Sequence, residues 1–163
     1  MTETPSARPV ILLVDDNPHD VVLIRLAFRK VGIIDAIHLV KDGTEAMRYV
    51  AGDGVYADRR IFPPPTLVLL DLKMPGANGF EVLKWIRLQP GLRTLRVIVL
   101  TSSGEMHDVN LAYLLGANSF LEKPADFARF VSVVQSIQGY WLWMSATPDL
   151  HAPQTESCNG VKA

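Results

Sequence analysis

Apolar residues fall in short, sharply bounded runs: "VILLV" at 10–14, "IHLV" at 37–40, "LVLL" at 67–70, "RVIVLT" at 96–101 and "SFLE" at 119–122. Runs that are apolar throughout and rich in β-branched residues predict strands covered on both faces. Between them the period changes. Val21, Ile24, Ala27, Phe28 and Val31 recur at helical spacing and predict a first helix that runs to about Lys30. Asn17 and Pro18 open it with a capping side chain and a ring whose missing N–H costs nothing there, and Gly32 stops it.

"GTEAMRYV" predicts a second, shorter helix with Ala46, Met47 and Val50 inward, and a third runs from Gly79 to about Leu88. "MHDVNLAYLLGA" predicts a fourth. A long fifth, from about Asp126 to Met144, sets Phe127, Phe130, Val131, Val134, Ile137 and Trp141 on one stripe. "AGDGVYADRRIFPPP" is studded with glycine and proline and is the least regular connection. Residues 8–144 are thus expected to form one domain, with 1–7 a flexible N-terminus and 145–163 a disordered tail lacking periodicity.

Strict alternation of strand and helix predicts a parallel sheet with helices on both faces and right-handed crossovers. In such sheets ligands sit beyond the carboxyl ends of the strands, where the winding reverses. The residues at those ends therefore carry the functional information. The first strand runs into Asp15 and Asp16, the third into Asp71, the fourth into Thr101 and Ser102, and the fifth into Lys123. Singly, each has an ordinary explanation: acids favour helix N-termini, threonine forms strands, and an isolated lysine is solvated. All of them at one edge of one sheet form a site.

Composition narrows what that site serves. With 163 residues, 48% of them hydrophobic, the chain can build a real core. A formal net charge of −1 gives no support for nucleic-acid binding. No apolar stretch approaches a membrane span, and "MTETPSARPV" lacks the pattern of a secretory signal, so a cytoplasmic location is expected. The single cysteine, Cys158, excludes an internal disulfide and a cysteine-based metal cage. His19, His38, His107 and His151 have no ligand-like spacing and read as surface or structural residues.

Three carboxylates converging on one small site raise each other's pKa unless a cation joins them. A hard divalent ion, Mg²⁺, is the natural partner of such an all-oxygen set. Beside it the Asp71 carboxylate can act as a nucleophile toward phosphorus, with Lys123 and the Thr101 hydroxyl stabilising the phosphoryl oxygens.

The "DD" of Asp15 and Asp16, "LLDLKMPGANG" around Asp71, "VLTSS" at Thr101 and "FLEKP" with Lys123 resemble the receiver domain of two-component response regulators. The resemblance covers roughly residues 8–144 with its motifs in order. It implies a flavodoxin-like, doubly wound five-stranded parallel sheet, order 2-1-3-4-5, with five helices. It also implies phosphoryl transfer from a sensor histidine kinase to Asp71. Asp16, Asp71 and the Lys73 carbonyl would hold Mg²⁺ directly and Asp15 through water. Lys123, joined to Pro124 by a cis bond, would hold the phosphoryl group. Thr101 and Phe120 would form the conformational switch.

With no output domain after the last helix, the expected signal is a protein contact. "VDDNPHDVVLIRLAF", "HLVKDGTEAM" and "GYWLWM" are similar to small regulators paired with bacterial phytochrome kinases. That kinship suggests a homodimer built on aromatics among Tyr140, Trp141 and Trp143. Lys73, where family members often carry an amide or acid, is a departure that bears on the lifetime of the phosphate. It also argues against the enzymatic alternative, a phosphatase or phosphotransferase with an aspartyl nucleophile, which wants a general acid at that position. A pseudo-receiver that works without phosphorylation is the other alternative; its usual mark, a lost acid or lost lysine, is missing.

Overall fold

A computed structural model describes residues 8–144; the expected N-terminal and C-terminal segments, 1–7 and 145–163, lie outside the described residues, with His151 and Cys158. Five strands, β1 (Ile11–Val14), β2 (Ile37–Val40), β3 (Leu67–Leu70), β4 (Arg96–Thr101) and β5 (Ser119–Glu122), alternate with five helices. These are α1 (Pro18–Lys30), α2 (Gly43–Ala51), α3 (Gly79–Leu88), α4 (Met106–Leu114) and α5 (Phe127–Ile137). All strands pair in parallel in the order β2-β1-β3-β4-β5. Val14 lies beside both Val40 and Leu70, and Leu70 beside Val99, so the strand ends align along one rim.

Period-two alternation divides the core. Leu12, Val14, Val68, Leu70, Val97 and Val99 face the layer of α2, α3 and α4. Ile11, Leu13, Leu67, Leu69, Ile98 and Leu100 face α1 and α5. Each residue of β1, β3 and β4 is buried because both faces are covered. Burying one such side chain contributes about 1.5–3 kcal/mol. Three residues of edge strand β2 are only half-buried.

The helix starts follow the sequence closely. Asn17 accepts hydrogen bonds from the N–H groups of His19 (2.9 Å) and Asp20 (3.4 Å) and caps α1. Asn78 and Glu81 form a reciprocal capping box at α3. Gly79 is required there, since a Cβ would overlap the carbonyl oxygen of Asp71.

Three features refine or depart from expectation. The buried side of α2 consists of Gly43, Ala46, Tyr49 and Val50, with Tyr49 added to the expected set, while Met47 is half-buried and packs against the same core. The connection before β3 is irregular but tied down. Arg59 donates to the carbonyls of Tyr49 (2.7 Å), Val50 (2.7 Å) and Phe62 (3.1 Å), and Phe62 meets Tyr49 and Tyr56 edge to face while those two rings pack at a tilt. Burial pushes the Tyr49 hydroxyl up to about 12. Finally, the last helix is α-helical only to Ile137. Gln138 is buried, donates its side-chain amide to the Val31 carbonyl (3.0 Å), and precedes a helix-weakening glycine; the chain continues to Met144 in wider π-type turns. Among the described residues no helix is long and apolar enough to cross a membrane.

Candidate functional site

Each charged residue of the rim hangs on a neighbouring strand. The Asp15 N–H donates to the Val40 carbonyl (3.1 Å), the Asp71 N–H to Val14 (3.0 Å), and the Lys123 N–H to Thr101 (2.7 Å). The parallel ladder thus continues one residue past the apolar runs and sets the side chains side by side. Asp15 and Asp71 are buried, at 1% and 6% exposure, while Asp16 reaches solvent.

The buried ammonium of Lys123 joins the acids. Nζ lies 2.7 Å from Asp15 Oδ2, 2.9 Å from Asp20 Oδ2 and 3.3 Å from Asp71 Oδ2. The other oxygens are also held: Asp15 Oδ1 accepts from the Asn17 N–H at 2.9 Å and Asp71 Oδ1 from the Lys73 N–H at 3.4 Å. Among the described residues no buried side-chain polar atom lacks a partner.

Asp15, Asp16 and Asp71 each offer a carboxylate oxygen, the three lying within 4.8 Å of one another. An all-oxygen, multiply acidic donor set of this kind suits a divalent cation. Burial pushes the Asp15 carboxyl above its ordinary value, and the hydrogen bond from Lys123 only partly offsets this. For Lys123 burial acts downward, but the hydrogen bonds to Asp15 and Asp20 outweigh it and hold the ammonium above its ordinary value. The lysine is therefore the firmly charged partner, and a cation would relieve the acids.

Thr101 is fully buried at the end of β4, its hydroxyl accepting from the Ser103 N–H at 3.4 Å. Phe120 is half-buried in β5 and packs on the α2–α3–α4 side of the core. The structure therefore gathers Asp15, Asp16, Asp71 and Lys123, sets Thr101 beside them, and leaves the Lys73 side chain exposed. One expectation is corrected. Among the described residues no peptide bond is cis, so Lys123–Pro124 is trans, the form favoured for X–Pro bonds by about 0.5–1 kcal/mol.

Sequence reading missed two participants. Asp20 was not singled out from the sequence, yet it bonds the central lysine; its signal was its place in the first turn of α1, four residues after the acidic pair. Tyr113 on α4 accepts a hydrogen bond from the Phe120 N–H at 3.1 Å, a contact across the turn from α4 to β5. His19 and His107 are exposed, and His38 packs 5.7 Å from the Tyr49 ring, a structural role for a histidine. Of the C-terminal aromatics, Tyr140 is exposed, Trp141 is half-buried beneath Arg96, and the Trp143 side chain lies outside the described residues.

Comparison with known proteins places this geometry. The profile of the response regulator receiver domain matches residues 11–135. The methanogenesis regulatory protein FilR2 of Methanothrix harundinacea is 37% identical over 85% of this chain and 87% of its own. Response regulator Rcp1 of Synechocystis is 34% identical over 87% of this chain and 95% of its own, and its structure is known in a Mn²⁺-bound form, with a TM-score of 0.77, 34% identity and coverage of 86% of this chain and 99% of that one. The phosphorylated cyanobacterial phytochrome response regulator RcpA superposes with a TM-score of 0.81 at 34% identity, covering 88% of this chain and all of that one. With five parallel strands in the order 2-1-3-4-5 and an acid cluster facing a buried lysine at their carboxyl ends, the chain belongs to the response regulator receiver domain family.

Proposed function

We propose that the protein is the receiver of a two-component pathway and that Asp71 accepts the phosphoryl group of a sensor histidine kinase. An Asp71 carboxylate oxygen attacks phosphorus. The new O–P bond forms as the P–N bond to the kinase imidazole breaks, and the electron pair returns to that nitrogen. Lys123 meets the phosphoryl charge with its ammonium, and the Thr101 hydroxyl donates a hydrogen bond. Asp16, Asp71 and the Lys73 carbonyl would hold the metal, with Asp15 supporting it through water. When bound, Mg²⁺ supplies charge neutralisation at the phosphoryl oxygens. The observation that carries the reading is the buried Asp71 carboxylate 3.3 Å from Lys123 Nζ, inside a cluster of acids spanning 4.8 Å.

Thr101 and Phe120 then report the reaction. Turning Thr101 toward the phosphoryl group opens space on the α4 side of the core for the half-buried Phe120, which shifts an existing equilibrium. The output is a protein contact. The likeness to Rcp1 and RcpA supports a phytochrome kinase as input, in the cytoplasm; the likeness to FilR2 favours a different sensor kinase as the second reading. The exposed Tyr140 supports a homodimer through the C-terminal turns, which sedimentation at rising concentration tests: a monomer throughout removes it.

The test of phosphorylation is direct. With Mg²⁺ and acetyl phosphate the wild-type chain gains a single acid-stable, base-labile phosphoryl group, and Asp71→Asn gains none. A wild-type chain left unmodified by acetyl phosphate and by phosphorylated sensor kinases alike overturns the reading.

A further inference from the structure

Asp20 belongs to neither the metal cluster nor the phosphoacceptor, yet it holds one of the shortest bonds in the site. It stands in the first turn of α1, where the Asn17 cap accepts its N–H, and its carboxylate lies 2.9 Å from Lys123 Nζ. An ammonium has three N–H donors. Lys123 directs them to Asp15 at 2.7 Å, Asp20 at 2.9 Å and Asp71 at 3.3 Å, and so sits closer to the first two than to the phosphoacceptor.

A phosphoryl group on Asp71 needs one of those donors. Asp15 is poorly placed to release its share. Its side chain is 1% exposed, its other oxygen is occupied by the Asn17 N–H, and it lines the acid cluster. Asp20 is 24% exposed, so water can take the place of the ammonium there. Its negative charge also opposes an incoming phosphoryl dianion.

We infer that Asp20 is a resting-state latch for Lys123: it competes with the phosphoryl group for the ammonium and sets how strongly the phosphorylated form is favoured. Asp20 acts through the lysine and is a positioning residue, not a catalytic one. The inference rests on Asp71 being the phosphoacceptor, and its test separates the two.

Beryllofluoride, a phosphoryl mimic that binds carboxylates, is titrated with Mg²⁺ into wild type, Asp20→Asn and Asp20→Glu, with thermal melts of each. The latch predicts about fivefold tighter binding to Asp20→Asn, as expected for release from a partly exposed ion pair. Asp20→Glu keeps the charge and keeps wild-type affinity. Hydrolysis of the phosphoprotein, in which water attacks phosphorus and the aspartyl O–P bond breaks to give carboxylate and inorganic phosphate, slows in Asp20→Asn by a similar factor. Should the asparagine variant not fold, Asp20→Ser removes the same charge. Unchanged or weaker binding by the neutral variants overturns the latch while leaving phosphorylation intact. Tighter binding by Asp20→Glu as well as Asp20→Asn overturns it too. A wild-type chain that takes neither beryllofluoride nor acetyl phosphate removes the phosphoacceptor reading along with it.

Discussion

Helices α3 and α4 lie on the same face of the sheet and each follows a strand that ends in a site residue, yet they are held very differently. α3 buries Gly79, Val82, Leu83 and Ile86 and begins in a complete capping box. α4 buries Ala112 alone, has no side-chain cap, and exposes Met106, Tyr113 and Leu114 at 68%, 50% and 82%. Asp71 thus precedes a firmly packed element and Thr101 a lightly packed one. Elements with few buried contacts open at lower free energy. In the proposed function Asp71 is a nucleophile that needs fixed geometry and Thr101 a reporter that needs freedom, and the packing of the two helices suits that division.

Substitutions can break this contrast. The largest effect is expected in the α3 core: Leu83→Ala should lose about 2–5 kcal/mol in urea unfolding, while Leu114→Ala stays within about 0.5 kcal/mol. Comparable losses at the two sites would end the distinction.

Metal linkage comes next. Mg²⁺ at a hundredfold excess over its Kd should stabilise the fold by about 2.7 kcal/mol, read as a rise in Tm. Burial holds the Asp15 carboxyl above its ordinary value, so in the window between the two the folded chain keeps a proton that the unfolded chain has lost. Without a cation, stability therefore falls as pH rises through that window. Because the metal needs the ionised acid, its stabilisation is fullest at neutral pH and shrinks as pH drops into the window. A Tm increment independent of pH would exclude Asp15 from the metal site.

Smaller effects refine the picture. Asn78→Ala should cost about 1 kcal/mol by removing the α3 cap, whereas Glu105→Ala, at the uncapped start of α4, should change thermal stability by less than about 0.5 kcal/mol. Tyr113→Phe deletes the acceptor for the Phe120 N–H and should cost about 0.5–1 kcal/mol. Hydrogen exchange at the Phe120 amide is the measurement, and unchanged protection would show that α4 does not brace β5.

The strands, the helix starts and most of the site could be read from the chain because each is written locally. Apolar blocks end at Asp15, Asp71 and Thr101, and the parallel ladder carries those endings to one rim. What escaped was written in three dimensions. Tyr56 and Phe62, from an irregular connection, pack against the buried Tyr49. Arg59 orders that connection through carbonyls it meets only after folding. The end of α5 changes pitch where Gln138 reaches Val31, more than a hundred residues earlier in the chain. Asp20 stands in sequence where any helix would welcome an acid, which concealed its bond to a lysine from the opposite end of the domain.

Gly79 carries a consequence for the direction of signalling. With no room for a single added carbon against the Asp71 carbonyl, two backbones abut there as a rigid stop. In the proposed switch, motion set off at Asp71 would have to drive a whole packed helix on that side, whereas the threonine strand and the lightly packed helix beyond it resist less.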